Sequence, residues 1–120
     1  MKIAFSTSGN DLNAPLDTRF GRAAKFLVYD TETQACTLVD NTQNMSAAQG
    51  AGIQAAQNVA AAGAQAVVSG HCGPKAFRML STANIKVYTS NAATVAEALS
   101  QFQAGALTEL TAANVDGHWA

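Results

Sequence analysis

Apolar residues along this chain fall into short runs separated by polar, glycine-bearing connections, and the spacing of those runs predicts a mixed order of strands and helices. Lys2-Ile3-Ala4-Phe5-Ser6-Thr7 has strand composition. Lys25-Phe26-Leu27-Val28-Tyr29-Asp30 and Ala35-Cys36-Thr37-Leu38-Val39-Asp40 read as two further strands. The polar connection Thr31-Glu32-Thr33-Gln34 predicts that these two form an antiparallel hairpin. Ser46 and Gln49 fit a capping box ahead of a helix from Gly50 to Ala62, with Gly63 as its stop. Ala66-Val67-Val68 reads as a strand running out into Ser69-Gly70, and Pro74 opens a helix to about Ser81. Ile85 to Thr89 is the next strand. Ser90 or Asn91 is expected to cap a last helix, whose Val95, Leu99 and Phe102 recur on one face and which Gly105 ends. The residues after Gly105 carry little periodicity. A frayed terminus bearing His118 and Trp119 is expected there, with the domain drawn at residues 1–110 and a tail at 111–120.

The predicted order is therefore three strands, then helix, strand, helix, strand, helix. Alternation in the second half implies parallel strands, and the hairpin adds antiparallel ones, so the fold class is α/β, a single mixed sheet covered by helices. Ligands of such sheets gather at the carboxyl ends of the strands. Three loops are expected to meet there: the one after the first strand, Asn41 to Gly52, and Gly70 to Lys75.

Composition narrows the classes of function. A chain of 120 residues makes one domain able to bury a core without staples. Charged residues are only 12%, and abundant Ala and Gly favour helices packed closely on a buried sheet. A net charge of -1 gives no global basic field, so no nucleic-acid partner is expected, and any basic site must be local. The opening residues turn polar too soon for a signal peptide and no run is long enough to span a bilayer, so a cytoplasmic protein without a membrane partner is expected. Cys36 and Cys72 read as free thiols, Cys36 as a buried structural one. Two cysteines exclude a four-thiolate metal site, and no spacing with His71 or His118 matches a zinc pattern.

Two stretches carry candidate chemistry. In Ser69-Gly70-His71-Cys72-Gly73-Pro74-Lys75 a strand passes through a tight turn into a helix. That geometry presents free N–H groups and the positive end of a helix dipole to an anion, with Lys75, Arg78 and His71 as added donors. The same residues also fit a strand-to-helix turn with no ligand. Thr18-Arg19-Phe20-Gly21-Arg22 follows a long loop of turn formers, and two arginines around a glycine can grip an anion. The plainer reading pairs Arg19 with Asp17 and leaves Arg22 solvated. Gly50 and Gly52 cost helix propensity, which suggests that a backbone or a ligand approaches the first helical turn closely.

Asp17-Thr18-Arg19-Phe20-Gly21-Arg22-Ala23 after an opening strand, Asn41 before a glycine-bearing helix, and Gly70-His71-Cys72-Gly73-Pro74-Lys75-Ala76 together resemble the dinitrogenase iron-molybdenum cofactor biosynthesis family, the group of NifX, NafY and the C-terminal domain of NifB. The resemblance runs from Met1 to about Leu110. It implies a ribonuclease H-like mixed sheet and a protein that is not an enzyme, but binds a metal-sulfur cluster non-covalently as carrier or store. For small stand-alone members with His-Cys before Gly-Pro it implies a molybdenum-copper sulfide cluster, and an acceptor protein as a possible partner. The residues implied in binding are Arg19, Phe20, Gly21, Arg22, Asn41, Gly50, Gly52, Gly70, His71, Cys72, Gly73, Pro74 and Lys75. Such a cluster is a large anion with weakly accepting sulfides. It needs donors, positive charge and an apolar wall, and Arg19, Arg22, Lys75, the N–H groups around Gly73 and Phe20 offer them.

Two rivals stand beside that reading. His71-Cys72 with Arg78 matches the short His-Cys-x5-Arg string of cysteine-dependent phosphatases, although Pro74 removes a donor from the loop and Met79 stands where such enzymes resemble one another in a hydroxyl residue. A plain protein-interaction module is the other. A two-metal nuclease is disfavoured, because the first strand supplies no carboxylates.

Overall fold

The computed structural model describes residues 1–44 and 50–113. The strands are β1 (Lys2–Thr7), β2 (Lys25–Asp30), β3 (Cys36–Asp40), β4 (Ala66–Ser69), β5 (Lys86–Thr89) and β6 (Thr108–Glu109). The helices are α1 (Ala51–Ala61), α2 (Pro74–Thr82) and α3 (Val95–Gln103), with a short 3-10 turn at Thr42–Asn44. One mixed sheet has the order β3-β2-β1-β4-β5-β6. β1 is paired antiparallel with β2 and parallel with β4, β4 is parallel to β5, and both edge strands are antiparallel to their neighbours.

Period-two alternation along the central strands makes two cores. Ala4, Phe26, Val28 and Val67 face α1 and α2, where they meet Ala55, Ala56, Val59, Ala76 and Leu80. Ile3, Phe5, Leu27, Tyr29 and Val68 face α3 and pack on Val95, Ala98 and Leu99. The small residues of α1 let that helix lie close to the sheet, as its composition predicts.

Four expectations are corrected. Cys36 is exposed, because β3 is an edge strand and the core under α3 does not extend to it. The last helix is capped by Thr94, whose side chain accepts from the Glu97 N–H, and neither Ser90 nor Asn91 caps it. The helix starts no earlier than Val95 because Ala93 and Thr94 pair with the loop after β1, through Leu16 N–H to Ala93 O, Val95 N–H to Ala14 O and a Pro15–Thr94 bridge. Part of the expected frayed terminus is ordered as β6, with Thr108 opposite Thr89, and Leu110 donates onward to Val87 O. A two-residue strand has no periodicity to detect. Gly50 is needed for its backbone: it holds φ at +80°, and a Cβ there would meet nothing within 4 Å. The Ser46–Gln49 capping box, His118 and Trp119 lie outside the described residues. No helix among the described residues is long and apolar enough to cross a membrane.

Candidate functional site

Strand direction decides where chemistry can gather. β1, β4 and β5 run parallel, and β3, antiparallel to β2, ends at the same edge of the sheet. The loops after these four strands therefore share the carboxyl edge, and α1, α2 and α3 all begin there. Three positive helix ends point toward one region.

Hydroxyls at the strand ends fix those loops. Ser6 and Ser69, both buried, are linked Oγ to Oγ at 2.8 Å, and Ser6 Oγ lies 2.5 Å from Asp17 O. Thr7 Oγ1 donates to Pro15 O at 2.6 Å, and Thr89 Oγ1 donates to Gly70 O at 3.0 Å. With its ends held in this way, the loop after β1 zips onto the loop after β4. His71 N–H donates to Thr18 O at 2.6 Å, Phe20 N–H donates to His71 O at 3.1 Å, and Arg19 and His71 form a parallel bridge. Gly70 permits the approach, since a Cβ there would sit 2.7–2.9 Å from Thr18 Cβ, O and Cα.

The predicted site residues take distinct places in this frame. Arg19 is half exposed and lies 3.4 Å from the Asp17 carboxylate. Arg22 is partly buried and reaches Asn44 O with Nη1 at 3.4 Å. Phe20 is wholly buried against Phe26, ring centres 5.1 Å apart, so its ring anchors the loop and cannot serve as the expected apolar wall to a ligand. Gly21 is buried beneath the loop, and Asn41 is fully buried with its amide on Gly21 O and Ala23 O. Gly50 and Gly52 stand at the start of α1 at this edge, outside the zipped pair of loops. Gly73 is the extended N-cap of α2 and supplies no side-chain cap, Pro74 is the first helical residue, and Lys75 is exposed. Pro74 has no N–H, so the first turn offers those of Lys75 and Ala76.

Cys72 is 1% exposed within the α1–α2 core, and burial pushes its thiol up to about 12. A neutral, enclosed thiol is no nucleophile. Arg78 lies with Pro74, Phe77 and Thr111 in a groove separate from the one His71 lines. The phosphatase reading is therefore corrected on both its thiolate and its arginine. Among the described residues no group of three or more His, Cys, Asp and Glu side chains could hold a metal ion.

Sequence reasoning missed one part of this edge. Thr18, Gly70, His71, Thr89, Ser90, Asn91, Gln101 and Thr108 line an open groove of about 420 Å³. Ser90 Oγ donates to Gln101 Oε1 at 2.7 Å, which fixes one wall. The signal was the position of Ser90-Asn91 just past β5, by the same rule that selected the other three loops.

The family model described as dinitrogenase iron-molybdenum cofactor matches residues 1–105. The chain belongs to that family. Among solved structures, this member of the dinitrogenase iron-molybdenum cofactor family is similar to the apo form of the orange protein from Desulfovibrio gigas. The two are 40% identical over 95% of this chain and 96% of that one, with a TM-score of 0.91. A putative NifB protein from Thermotoga is 34% identical over 97% and 98% of the two chains, with a TM-score of 0.85. An uncharacterised protein of Methanocaldococcus jannaschii is 29% identical over 110 residues, 89% of each chain.

Proposed function

We propose that this family member is a non-catalytic carrier or store that holds an anionic molybdenum-containing metal-sulfur cluster without covalent bonds, and that the cluster is of the molybdenum-copper sulfide type. One observation carries the reading. The zipped loops set Arg19 beside His71 at the edge where α2 begins with an uncapped turn, Arg22 follows in the same loop, and the Cys72 thiol is buried in the core with burial pushing it up to about 12. Such a place supplies charge and hydrogen-bond donors but no thiolate, which suits a preformed anion whose metals are already satisfied by sulfide. The likeness to the orange protein supports the same cargo. The strand order β3-β2-β1-β4-β5 supports the ribonuclease H-like description of the fold. Handing the cargo to an acceptor protein in the cytoplasm completes the proposed role.

The test mixes apoprotein with tetrathiomolybdate and copper, removes small molecules by desalting, and reads visible absorbance and metal content of the protein fraction. Wild type is expected to carry intense absorbance at a fixed metal ratio. Replacing Arg19 and Arg22 together by Ala removes charge-assisted hydrogen bonds worth about 1.5–3 kcal/mol each, so retention should fall at least about tenfold with an unchanged circular dichroism spectrum. Colourless wild-type protein would overturn the proposal.

A further inference from the structure

We propose that Asn41 is a positioning residue that aims Arg22 at the cargo, an inference that rests on the placement of residues 18–22 in the cluster site. Asn41 sits past the end of β3 and is fully buried, so it does not touch a ligand. The three hydrogen bonds it donates are directed at the segment that carries Arg22. The backbone N–H donates to Ala24 O at 2.9 Å, and Nδ2 donates to Ala23 O at 2.8 Å and Gly21 O at 3.2 Å. The two side-chain bonds grip the residues immediately before and after Arg22. On the other side, Oδ1 accepts from Asn44 Nδ2 at 2.7 Å and from Asn58 Nδ2 at 3.4 Å, and Asn41 O accepts from Asn44 N–H at 3.0 Å. Asn44 in turn offers its carbonyl to Arg22 Nη1. One amide therefore ties the root of the Arg22 side chain and the group that its guanidinium touches to the start of the same loop and to α1.

A long side chain has many rotamers, and ordering it on binding costs free energy. Fixing both its root and a contact near its tip reduces the number of states to be lost when an anion arrives. Only an amide serves at position 41, because the two sides of the group face two acceptors and two donors. An aspartate would set a carboxylate oxygen against Gly21 O and Ala23 O.

The experiment measures retention of molybdenum by equilibrium dialysis against tetrathiomolybdate and copper for wild type, Arg22→Ala, Asn41→Ala and the double variant. Apoprotein thermal unfolding is recorded alongside. Positioning through Arg22 predicts that each single variant weakens retention about tenfold, and that the double variant binds no more weakly than Arg22→Ala alone. The thermal loss from Asn41→Ala should persist in both backgrounds. A double variant weakened by the product of the two single effects, or an Asn41→Ala protein that folds and binds like wild type, overturns the inference. Wild-type retention in Arg22→Ala overturns the placement of the loop as well. If Asn41→Ala does not fold, Asn44→Ala asks the same question, since it removes the shortest bond to Asn41 Oδ1 and keeps the backbone carbonyl that Arg22 contacts. Additivity of that variant with Arg22→Ala also overturns the inference.

Discussion

Gly70→Ala is the substitution whose cost the structure defines most directly. The added Cβ would lie 2.7 Å from Thr18 Cβ, 2.8 Å from Thr18 O and 2.9 Å from Thr18 Cα. Two of these three are backbone atoms and the third is fixed to the backbone, so no rotamer change relieves the contact. The loops must part, and parting them stretches the bond from His71 N–H to Thr18 O and the bond from Phe20 N–H to His71 O. Overpacking of this kind costs about 1–3 kcal/mol, and each weakened hydrogen bond adds about 0.5–1.5 kcal/mol. A total of about 2–6 kcal/mol lowers the melting temperature of a domain this size by at least roughly 8 °C. Thermal unfolding followed by circular dichroism measures that loss. Amide hydrogen exchange at His71 and Phe20 localises it, because those two amides should exchange faster while the amides of β2 keep their protection relative to global unfolding. A melting temperature within about 2 °C of wild type, with His71 still protected, refutes the argument that contact between the two loops requires glycine.

Three further outcomes follow from separate parts of the molecule. Exposed Cys36 should react with iodoacetamide in the native protein, while Cys72 reacts only on unfolding; mass spectrometry of the alkylated chain distinguishes them. Because burial raises the Cys72 thiol from 9.0 to about 12, the unfolded chain loses that proton first as pH rises. Stability should be flat below pH 9 on this account and then fall by no more than about 1.4 kcal/mol per pH unit toward 12, a fall that Cys72→Ala abolishes in denaturant titrations. Thr94→Ala removes the acceptor for the Glu97 N–H at the start of α3 and should cost about 1 kcal/mol in urea unfolding, with no change in cluster retention.

Much of the architecture was legible because its elements carry strong local signals. The alternation in β1 and β2, the hairpin at Thr31–Gln34 and the Pro74 start of α2 each specify their own geometry. The misplaced features depend on tertiary contacts. Thr94 caps α3 because Ala93 and Thr94 are paired with the loop after β1, and β6 forms because Tyr88 and Thr89 offer it an edge. Cys36 resembles a core residue in composition, and its exposure follows from strand order, which no local pattern encodes. That the loops lie at the carboxyl edge of the sheet was legible, but the places their residues take within that edge were not. Phe20 and Asn41 look like ligand contacts in the sequence and are wholly buried, while Ser90 and Gln101, which line the groove, carry no motif at all.

The link between Ser6 and Ser69 joins residues 63 positions apart, and this separation bears on how the chain assembles during synthesis. β1, β2 and β3 form a local meander that can pair as soon as it leaves the ribosome. β1 then waits with one edge open until β4 emerges. Contacts of such sequence separation close slowly, since the chain entropy of a large loop must be lost before they form. The zipper of residues 18–20 with His71 lies beyond that closure, so the candidate site at the carboxyl edge is completed late, after most of the β2 side of the sheet. A nascent or partly folded chain therefore has the arginines of the proposed site but not the frame around them, and if the proposed role holds, loading is expected to be a property of the finished domain.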